Sequence, residues 1–599
     1  MKSEKFGSLK RRTIIYGVII STVIVLSGRL FQMQILNRIE YDKKSTDNSI
    51  KGIELQPLRG IFYDRNYKVL VSNNPAYTLR ITPAYYDTSL NKILESVLGT
   101  EPGYVNNILQ KNKIYSKFLP VKIRKGVDFS VIAWFEENSE HLQGVDYIVE
   151  MQRYYPAGVI ASHTFGYTKE ISPEQLTREK EFYKPGDYVG HNGIEKTYEK
   201  LICGTKGYSY VLVDSKQRRI GQYLDGKEDV FPKKGNDLVL SFEVGAQRVA
   251  EEQFQGKRGA LVAIEPTTGE ILAMVSAPDY DLNRFAFFTP RNFLDSIYSD
   301  PLSPLFNRAT MSVHPPGSTF KMLAAITALD MGVINTSWTV TCTGGFTFGR
   351  YFKCHGSHGT VNVVSAIEKS CNTFFYKLIY KIGLDNWKAY ATKFGFGNVT
   401  GIDLTEEVPG LIPDENYYIK RYGDNWPRSI MASLGIGQGE VSVTPLQLAQ
   451  YVSLIANNGK TKTPHVVKGY IDGETENYIP LDYKEINTGV SQNALDIVKE
   501  GMFLVVNGHG TATHIRLPDV EICGKTGTAQ NPHGKDHAWF VAFAPYENPK
   551  IAIAVLVENA GFGSTYAAPI AQKVIQAYLE SFKGAGKNIK TDIAELKIP

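Results

Sequence analysis

Cysteine is scarce in this sequence, with five residues scattered over 599 positions. A disulfide framework needs a denser and more regular cysteine pattern, so that class of secreted scaffold is excluded. A strong net charge is also lacking, since 66 basic and 61 acidic side chains leave a net charge of +5. No basic cluster interleaved with aromatic residues occurs either, and we therefore expect no nucleic acid as a partner.

Long apolar runs are absent except near the N-terminus, where one extends over residues 13–36. At ~1.5 Å per residue, such a helix crosses a hydrocarbon core of ~30 Å, and Arg29 near its far end can reach the interface. The short basic segment 1–12 before the run predicts an N-terminus in the cytoplasm. A cleaved signal peptide is the weaker interpretation, because no small-x-small cleavage site follows. We expect a single-pass anchor in the cytoplasmic (inner) membrane, with the rest of the chain on the outer, periplasmic side.

The rest of the chain has a globular composition, 43% apolar and 21% charged, and is too long for one core. We expect a mixed, tyrosine-rich region at 41–232, a large domain at 233–582 and a polar tail at 583–599. In the large domain a hairpin at 259–276 comes first, a mostly helical middle follows, and three extended runs and a helix come last. These late elements cover residues 520–529, 537–544, 551–558 and 568–582. Their order predicts an α+β fold, in which the first and last elements form an antiparallel sheet and a helical half is inserted between them.

In the stretch Pro-Pro-Gly-Ser-Thr-Phe-Lys at 315–321, a Pro-Gly pair that interrupts regular structure comes directly before the reactive side chains of Ser318 and Lys321. The apolar residues that follow, as far as about Gly332, predict a buried helix. Ser318 and Lys321 are three residues apart, so on a helix they share one face. A serine hydroxyl becomes a good nucleophile when a base takes its proton, and a lysine amine can be that base if its pKa is lowered. We therefore interpret Ser318 as a nucleophile and Lys321 as its base.

Two further motifs follow in order: Ser-Cys-Asn at 370–372 and Lys-Thr-Gly-Thr at 525–528. Alone, a Ser-x-x-Lys pair is common and usually indicates a solvated helix face. The three motifs in this order are specific, with the first opening a buried helix and the third on an edge-like strand. They resemble the penicillin-binding proteins, the serine D,D-transpeptidases, and the resemblance extends over almost the whole chain.

The first half of the chain carries its own part of the resemblance. Residues 59–66 resemble the Arg-Gly-x-Ile-x-Asp-Arg-Asn segment of the family's membrane-proximal pedestal, with Phe62 and Tyr67 as departures that suggest altered local packing. No glycan-polymerase domain precedes the pedestal, which matches the monofunctional class B group. The resemblance implies a five-stranded antiparallel sheet flanked by helices with an inserted helical subdomain, preceded by an elongated, dimerisation-like pedestal and a single transmembrane helix. The pedestal residues on their own indicate only turn and packing chemistry.

Within class B, several short segments resemble the penicillin-binding protein 2 group, the elongation enzymes. They are Pro-Pro-Gly at 315–317, Gly-Ile-Gly-Gln-Gly at 435–439, Thr-Pro-Leu-Gln at 444–447, Lys-Thr-Gly-Thr-Ala-Gln at 525–530 and His-Ala-Trp-Phe at 537–540. The division enzymes typically have a Glu-Pro-Gly lead-in to their serine, which this chain lacks. The resemblance therefore implies a role in elongation and cell shape. It also implies a polytopic membrane glycan polymerase and elongation-complex scaffold proteins as partners, and β-lactams as inhibitors.

The resemblance also implies a role for each residue of the first two motifs. Ser318 attacks the carbonyl of the penultimate D-Ala in a stem peptide of peptidoglycan or its lipid-linked precursor, and Lys321 takes the serine proton. Ser370 relays a proton to the leaving D-Ala, and Asn372 holds the donor amide and the Lys321 amine. No cofactor is required for this reaction, and residual D,D-carboxypeptidase activity can accompany it.

The third motif is expected to bind the donor. Lys525 and the Thr526 hydroxyl suit the terminal carboxylate, and Gly527 lets the substrate backbone approach the strand closely. The backbone N–H groups of Ser318 and Thr528 would form the oxyanion hole. As a second cation beside Lys321, Lys525 would also help burial to lower the pKa of that amine.

The segment before the second motif contains Cys342, Cys354, His355 and His358. Their spacing suits a structural zinc ion, and some members of the penicillin-binding protein 2 group carry zinc at the equivalent loop. A Cys342–Cys354 disulfide is an equal alternative in an oxidising exterior, and plain packing is the third. Cys371, in the middle of the second motif, is interpreted as a small buried filler.

Three other functions stay open on the sequence. A division-type class B transpeptidase would use the same chemistry. A serine β-lactamase or β-lactam sensor would use the same catalytic fold but needs fast deacylation or a signalling tail, and the pedestal and the short cytoplasmic end argue against these. A scaffold with a dead site is the non-enzymatic alternative.

Overall fold

The computed structural model describes residues 9–36, 49–112, 117–118, 120–156, 158–214, 219–286 and 289–588. Parts of the predicted N-terminal segment 1–12 and polar tail 583–599, namely 1–8 and 589–599, lie outside the described residues. The chain divides into two compact units. The first contains Met1–Pro57, Tyr77–Val149 and Thr205–Lys233, and the second contains Leu58–Ala76, Glu150–Gly204 and Lys234–Pro599. The limits expected for the pedestal and the large domain stay predictions.

The first unit begins with the apolar helix predicted from the sequence. The helix spans Leu9–Phe31 and continues as a π-helical turn at Gln32–Leu36. The apolar side chains of the segment Arg11–Ile35 are exposed. Among the described residues it is the one helix long and apolar enough to cross a membrane.

The rest of the first unit contains two antiparallel arrangements. Strand Gly207–Val213 lies between Ile50–Leu55 and Arg219–Gln222 in a three-stranded sheet. Residues 77–81 pair with Val121–Val127. Their apolar side chains share a core with helices Asn91–Leu98, Tyr104–Lys111 and Phe129–Glu137. Single 3₁₀ turns occur at Thr88–Leu90, Ser139–His141 and Tyr223–Gly226.

The second unit is built on a five-stranded antiparallel sheet. Its strands in chain order are β1 (Gly259–Ile264), β2 (Ile271–Ala277), β3 (Cys523–Ala529), β4 (His537–Ala544) and β5 (Ile551–Val557). Their order in the sheet is β2-β1-β5-β4-β3, so the first and last elements of the domain meet and β3 is an edge strand. Nearly all of their residues are buried, which means that both faces of the sheet are covered and explains why the strands are continuous apolar runs. The predicted α+β fold is confirmed.

Shorter strands complete the second unit. Within this unit, part of a seven-stranded sheet has the order Tyr478–Pro480, Val467–Ile471, Asp237–Leu240, Phe62–Tyr63 and residues 69–76 of strand Val69–Ile81. Four isolated pairs are Thr168–Glu170 with Tyr188–Gly190, Val340–Cys342 with Gly359–Val361, Gly345–Phe348 with Arg350–Lys353, and Lys460–Lys462 with Glu485–Asn487. The division between the two units falls within strands Val69–Ile81 and Val145–Tyr154.

Most helices of the second unit lie between β2 and β3 in the chain. Those that bear on the site are α1 (Lys321–Asp330), which follows a 3₁₀ turn at Gly317–Phe320, and α2 (Asn372–Ile382). The others there are Asn283–Ala286, Arg291–Ser299, Arg308–Met311, Val363–Glu368, Leu384–Lys393, Glu415–Tyr422, Ile430–Gly435, Pro445–Ala456, Gln492–Asn507 and the 3₁₀ turn Thr513–Ile515. Outside this stretch lie Ser162–Phe165, Pro173–Arg178, Gly193–Thr197, Glu199–Ile202, Val244–Gln253, Gly563–Tyr566 and Ala568–Asn588.

Helix boundaries follow local chemistry. The Thr-Pro-Leu-Gln motif at 444–447 is a helix start: Thr444 accepts from the N–H of Gln447, the Gln447 side chain accepts from the N–H of Thr444, and Pro445 occupies the first turn. The last helix was expected to end at residue 582 but continues to Asn588, since no proline interrupts the chain between Pro569 and Pro599.

Candidate active site

Ser318 lies in a tight turn that leads directly into a buried helix. The turn Gly317–Phe320 is 3₁₀, and α1 begins at Lys321, so the predicted shared face of Ser318 and Lys321 is kept with 3₁₀ rather than α geometry between them. Gly317 has φ +58, and a Cβ there would lie 2.7 Å from the carbonyl oxygen of Thr528. Only glycine fits this position, which brings the half-buried Ser318 close to strand β3.

The Lys321 side chain is 0% exposed and makes three hydrogen bonds. Its Nζ donates to Ser370 O at 2.7 Å, to Ser370 Oγ at 3.1 Å and to Asn372 Oδ1 at 2.6 Å. Burial lowers the pKa of Lys321 to about 7, against the opposing influence of Cys354 and Cys371. A substantial fraction of this amine is therefore neutral near pH 7, as a general base requires.

Ser370 holds its hydroxyl between two amines. Besides the bond from Lys321, its Oγ accepts from Lys525 Nζ at 2.9 Å. Its backbone has φ +54, a left-handed conformation that is uncommon for a residue other than glycine. Such strain collects at functional sites, where the surrounding contacts hold it in place. Here those contacts include the bond from Lys321 Nζ to Ser370 O.

Lys525 projects from the edge strand β3 and is fully buried. Burial and the nearby Lys321 hold the pKa of Lys525 well below its usual range. The neighbouring Thr526 hydroxyl lies 2.7 Å from Thr511 Oγ1, a partner that the sequence motifs did not indicate. At Gly527 a Cβ would lie 2.9 Å from Pro316 O, so this position too requires glycine.

Asn372 joins the catalytic residues to the cysteine-containing segment. Its Oδ1 accepts from Lys321, its Nδ2 donates to Lys353 O at 3.3 Å, and its backbone N–H donates to Cys354 Sγ at 3.2 Å. The structure thus brings together residues from all three motifs, which lie up to 207 positions apart (525 minus 318).

The cysteine-containing segment forms a cluster of potential metal ligands, but its membership differs from the predicted set. Donor atoms of Cys342, Cys354, His358 and Cys371 all lie within 4.8 Å of one another. His355 is not among them. Burial lowers the pKa of His355, and the nearby charge of Lys321 lowers it further.

The fourth ligand candidate is therefore Cys371 in place of His355. The side chains of the consecutive residues Cys354 and His355 do not both belong to the cluster. Cys371, at the start of α2, does. Sequence spacing could not identify Cys371, because it lies 17 positions after Cys354 (371 minus 354). All five cysteines are free thiols, so the alternative disulfide between Cys342 and Cys354 is not formed in the structure.

Two of the distances between donor atoms match those expected around a tetrahedral zinc ion. His358 Nδ1 lies 3.6 Å from Cys342 Sγ and 3.5 Å from Cys354 Sγ. With Zn–S bonds of ~2.3 Å and Zn–N bonds of ~2.1 Å, ligand atoms around zinc lie roughly 3.4–3.8 Å apart. A hydrogen bond from Cys371 lowers the pKa of Cys354, which favours the thiolate form that binds zinc.

Fold and site together define the class of serine-dependent transpeptidases. The penicillin binding protein transpeptidase domain matches residues 259–576, and the penicillin-binding protein dimerisation domain matches residues 54–240. The chain belongs to the penicillin-binding protein family.

Particular members resemble it over most of its length. It is 35% identical to the peptidoglycan D,D-transpeptidase MrdA of Acinetobacter baumannii, over 94% of this chain and 86% of that one. It is 31% identical to MrdA of Escherichia coli, over 91% and 90%. A structure of Helicobacter pylori penicillin-binding protein 2 in complex with MreC has a TM-score of 0.76 at 29% identity and covers 89% of this chain and 100% of that one. The Pseudomonas aeruginosa penicillin-binding protein 2 in complex with WCK 5153 has a TM-score of 0.66 at 30% identity, covering 88% and 97%. The predicted likeness to class B penicillin-binding protein 2 is confirmed.

Proposed function

We propose that this chain is an elongation-type class B peptidoglycan D,D-transpeptidase that cross-links stem peptides through an ester on Ser318. The observation that carries this proposal is the Ser370 hydroxyl held between the buried amines of Lys321 and Lys525, beside the turn that carries Ser318. The penicillin-binding protein 2 relatives support elongation over the division-type and β-lactamase alternatives.

In the first half-reaction, Ser318 Oγ attacks the carbonyl carbon of the penultimate D-Ala. Neutral Lys321 accepts the serine proton, and the backbone N–H groups of Ser318 and Thr528 bind the developing oxyanion. The C–N bond to the terminal D-Ala then breaks, and the proton passes from Lys321 through Ser370 to the leaving amine. An ester on Ser318 remains.

In the second half-reaction, the amine of another stem peptide attacks this ester. The acceptor proton returns through Lys321 to Ser318 Oγ, and the new amide is the cross-link. Lys525 and the Thr526 hydroxyl bind the donor carboxylate, Gly527 lets the donor backbone lie against β3, and Asn372 holds the donor amide. Attack by water instead of the amine would give residual D,D-carboxypeptidase activity.

Labelled penicillin tests this function. We expect a long-lived acyl-enzyme on Ser318, identified by mass spectrometry of the labelled peptide, and no label in a Ser318→Ala variant. Rapid turnover of the label would instead favour a β-lactamase. A Ser318→Ala variant that still supports normal cell growth and shape would favour a scaffold.

The position in the cell and the partners follow from the anchor and the relatives. We infer that the N-terminal helix spans the cytoplasmic membrane with the N-terminus inside and the catalytic unit on the periplasmic side. The penicillin-binding protein 2 of H. pylori was solved with MreC, and another similar structure, covering 95% of this chain at a TM-score of 0.71, concerns polymerization and crosslinking by a peptidoglycan synthase complex. These support a scaffold protein and a polytopic glycan polymerase as partners, with lipid-linked precursor or peptidoglycan as substrate and β-lactams as inhibitors.

We also propose that Cys342, Cys354, His358 and Cys371 hold a structural zinc ion. When bound, zinc would cross-link residues 342–358 to Cys371 at the start of α2, next to Asn372. Elemental analysis of the purified protein combined with thiol counting tests this. One zinc per chain with blocked thiols supports it, and metal-free protein with a disulfide overturns it.

A further inference from the structure

The side chain of Gln438 bonds to the edge strand of the catalytic sheet. Gln438 follows helix Ile430–Gly435, and its backbone N–H donates to Ser433 O at 2.9 Å. Its Nε2 donates to Thr528 O at 2.8 Å, and its Oε1 accepts from the N–H of Gln530 at 3.4 Å. One amide group thus binds two successive backbone groups at the end of β3.

These backbone groups face the free edge of β3. Alternate residues of an edge strand direct their N–H and C=O groups away from the neighbouring strand. The carbonyl of Thr528 bonds to Gln438 and that of Thr526 accepts from Lys525 Nζ at 3.2 Å, so residues 526, 528 and 530 face outwards. A peptide that adds to this edge would use the same groups.

The backbone around Gln438 is also tied to the nucleophile turn. Gly317 N–H donates to Gly437 O at 2.8 Å, and a Cβ on Gly437 would lie 2.2 Å from Gly317 O. The loop 435–439, the turn before Ser318 and the end of β3 are therefore three backbone segments in direct contact. Gln438 is the side chain that links the loop to the strand.

We propose that Gln438 is a positioning residue for acyl transfer. By holding the carbonyl of Thr528 and the N–H of Gln530, its amide fixes the backbone at Thr528, whose N–H then points to the carbonyl attacked by Ser318. The amide also occupies the free edge of β3 at Thr528. A donor peptide therefore pairs with β3 only at the residues before Thr528. This inference rests on the proposed function.

Two variants and a control separate positioning from packing. Gln438→Ala removes both bonds, whereas Gln438→Glu keeps the shape and the acceptor for Gln530 but places a carboxylate oxygen against Thr528 O. Gln576→Ala, which removes an exposed glutamine bonded to Glu580, is the matched control. Stopped-flow labelling of the full chain in detergent with a fluorescent penicillin gives the binding constant and the acylation rate constant separately, and thermal unfolding gives Tm.

We expect the acylation rate constant to fall on the order of tenfold in both Gln438 variants, less than the roughly hundredfold for loss of a direct oxyanion donor. Penicillin binding and Tm should stay close to those of the unmodified chain, and the control should change nothing. Unchanged acylation in Gln438→Glu, or a loss that merely follows a lowered Tm, would overturn the inference. If the unmodified chain itself takes no label on Ser318, the proposed function fails instead.

Discussion

The catalytic cluster around Ser370 and the ionic cluster around Glu195 are both buried in the second unit and both join distant parts of the chain. The two clusters differ in what surrounds their buried charged groups. In the ionic cluster, Arg59 Nε donates to Glu195 Oε2 at 2.6 Å and its NH2 group lies 2.5 Å from Glu199 Oε2, while Arg153 Nε donates to Glu195 Oε1 at 2.6 Å. Although burial opposes it, the charges of Glu195 and Glu199 raise the pKa of Arg59 above its usual range.

The catalytic cluster contains two amines, and the influence that opposes the lowered pKa of Lys321 comes from Cys354 and Cys371 rather than from a buried ion pair. Among the described residues, no carboxylate is paired with Lys321 or Lys525, and the group between them is the neutral Ser370 hydroxyl. Burial lowers both pKa values, and the nearby Lys321 lowers that of Lys525 further. Buried groups of opposite charge stay ionised, and breaking their pairing destabilises the fold. A buried amine without a carboxylate partner loses its proton more easily and can act as a base. Breaking each cluster should therefore have a different consequence.

The largest effect is expected from Lys321→Met, which removes the base but leaves the volume. Acylation of Ser318 by labelled penicillin should fall by roughly 10³-fold, within the range that general bases contribute. The free energy of unfolding should stay within about 1 kcal/mol, because relief from burying an amine offsets three lost hydrogen bonds. Lys388→Met, at a partly exposed ion pair with Asp414, is the control for acylation. A variant that unfolds, or that is acylated at the normal rate, would remove the distinction between the clusters.

The reverse outcome is expected from Glu195→Gln in the ionic cluster. Glu195 is 0% exposed, so its loss leaves the buried Arg153 without its carboxylate and should lower the free energy of unfolding by about 3–5 kcal/mol. Acylation by the fraction that remains folded should be normal. Asp146→Asn at the exposed Arg80–Asp146 pair is the control and should cost at most about 1 kcal/mol in urea unfolding. A loss at Glu195 no larger than at Asp146 would contradict this.

The two clusters also differ in how far the sequence predicted them. The catalytic residues follow from three motifs, and the strands that carry or support them follow from continuous apolar runs; His537–Ala544 was predicted with both ends correct. The contacts of Glu195 were not predicted, because its partner Arg59 lies 136 positions away and no local pattern records a side-chain contact over that distance. Gln438 was noted only as part of a resemblance, since its partners are backbone atoms of Thr528 and Gln530.

The predicted set of metal ligands and the cluster in the structure differ because a sequence does not show in which direction a side chain points. Cys371 belongs to the cluster of potential ligands and His355 does not. Sequence spacing gives the distance along the chain between two residues, but not the side of a turn on which a side chain lies. The left-handed backbone of Ser370 was also not foreseen, since serine has no particular preference for positive φ.

The pH dependence of acylation should also distinguish the two clusters, with a smaller effect than the substitutions above. Since the pKa of Lys321 is lowered to about 7, the acylation rate constant should rise about tenfold between pH 6 and pH 8 and then level off. Stability changes in the same direction: the unfolded chain binds more protons at Lys321 between pH 7 and about 10, so the cost of burying this amine falls and the free energy of unfolding rises as pH rises. Arg59 stays charged throughout and should add no change. A flat rate profile from pH 6 to pH 8 would rule out Lys321 as the titrating base.

The smallest expected effect concerns the backbone strain at Ser370 in the catalytic cluster. Ser370→Ala and Ser370→Gly both remove the hydroxyl between the amines, and both should slow acylation. They differ in the backbone, because alanine meets the same penalty as serine at φ +54, whereas glycine adopts it freely. The glycine variant should therefore unfold with a free energy about 1 kcal/mol higher than the alanine variant, read from paired urea transitions. Equal stabilities would mean that the left-handed backbone at Ser370 carries no cost, and that the catalytic cluster differs from the ionic one in charge alone.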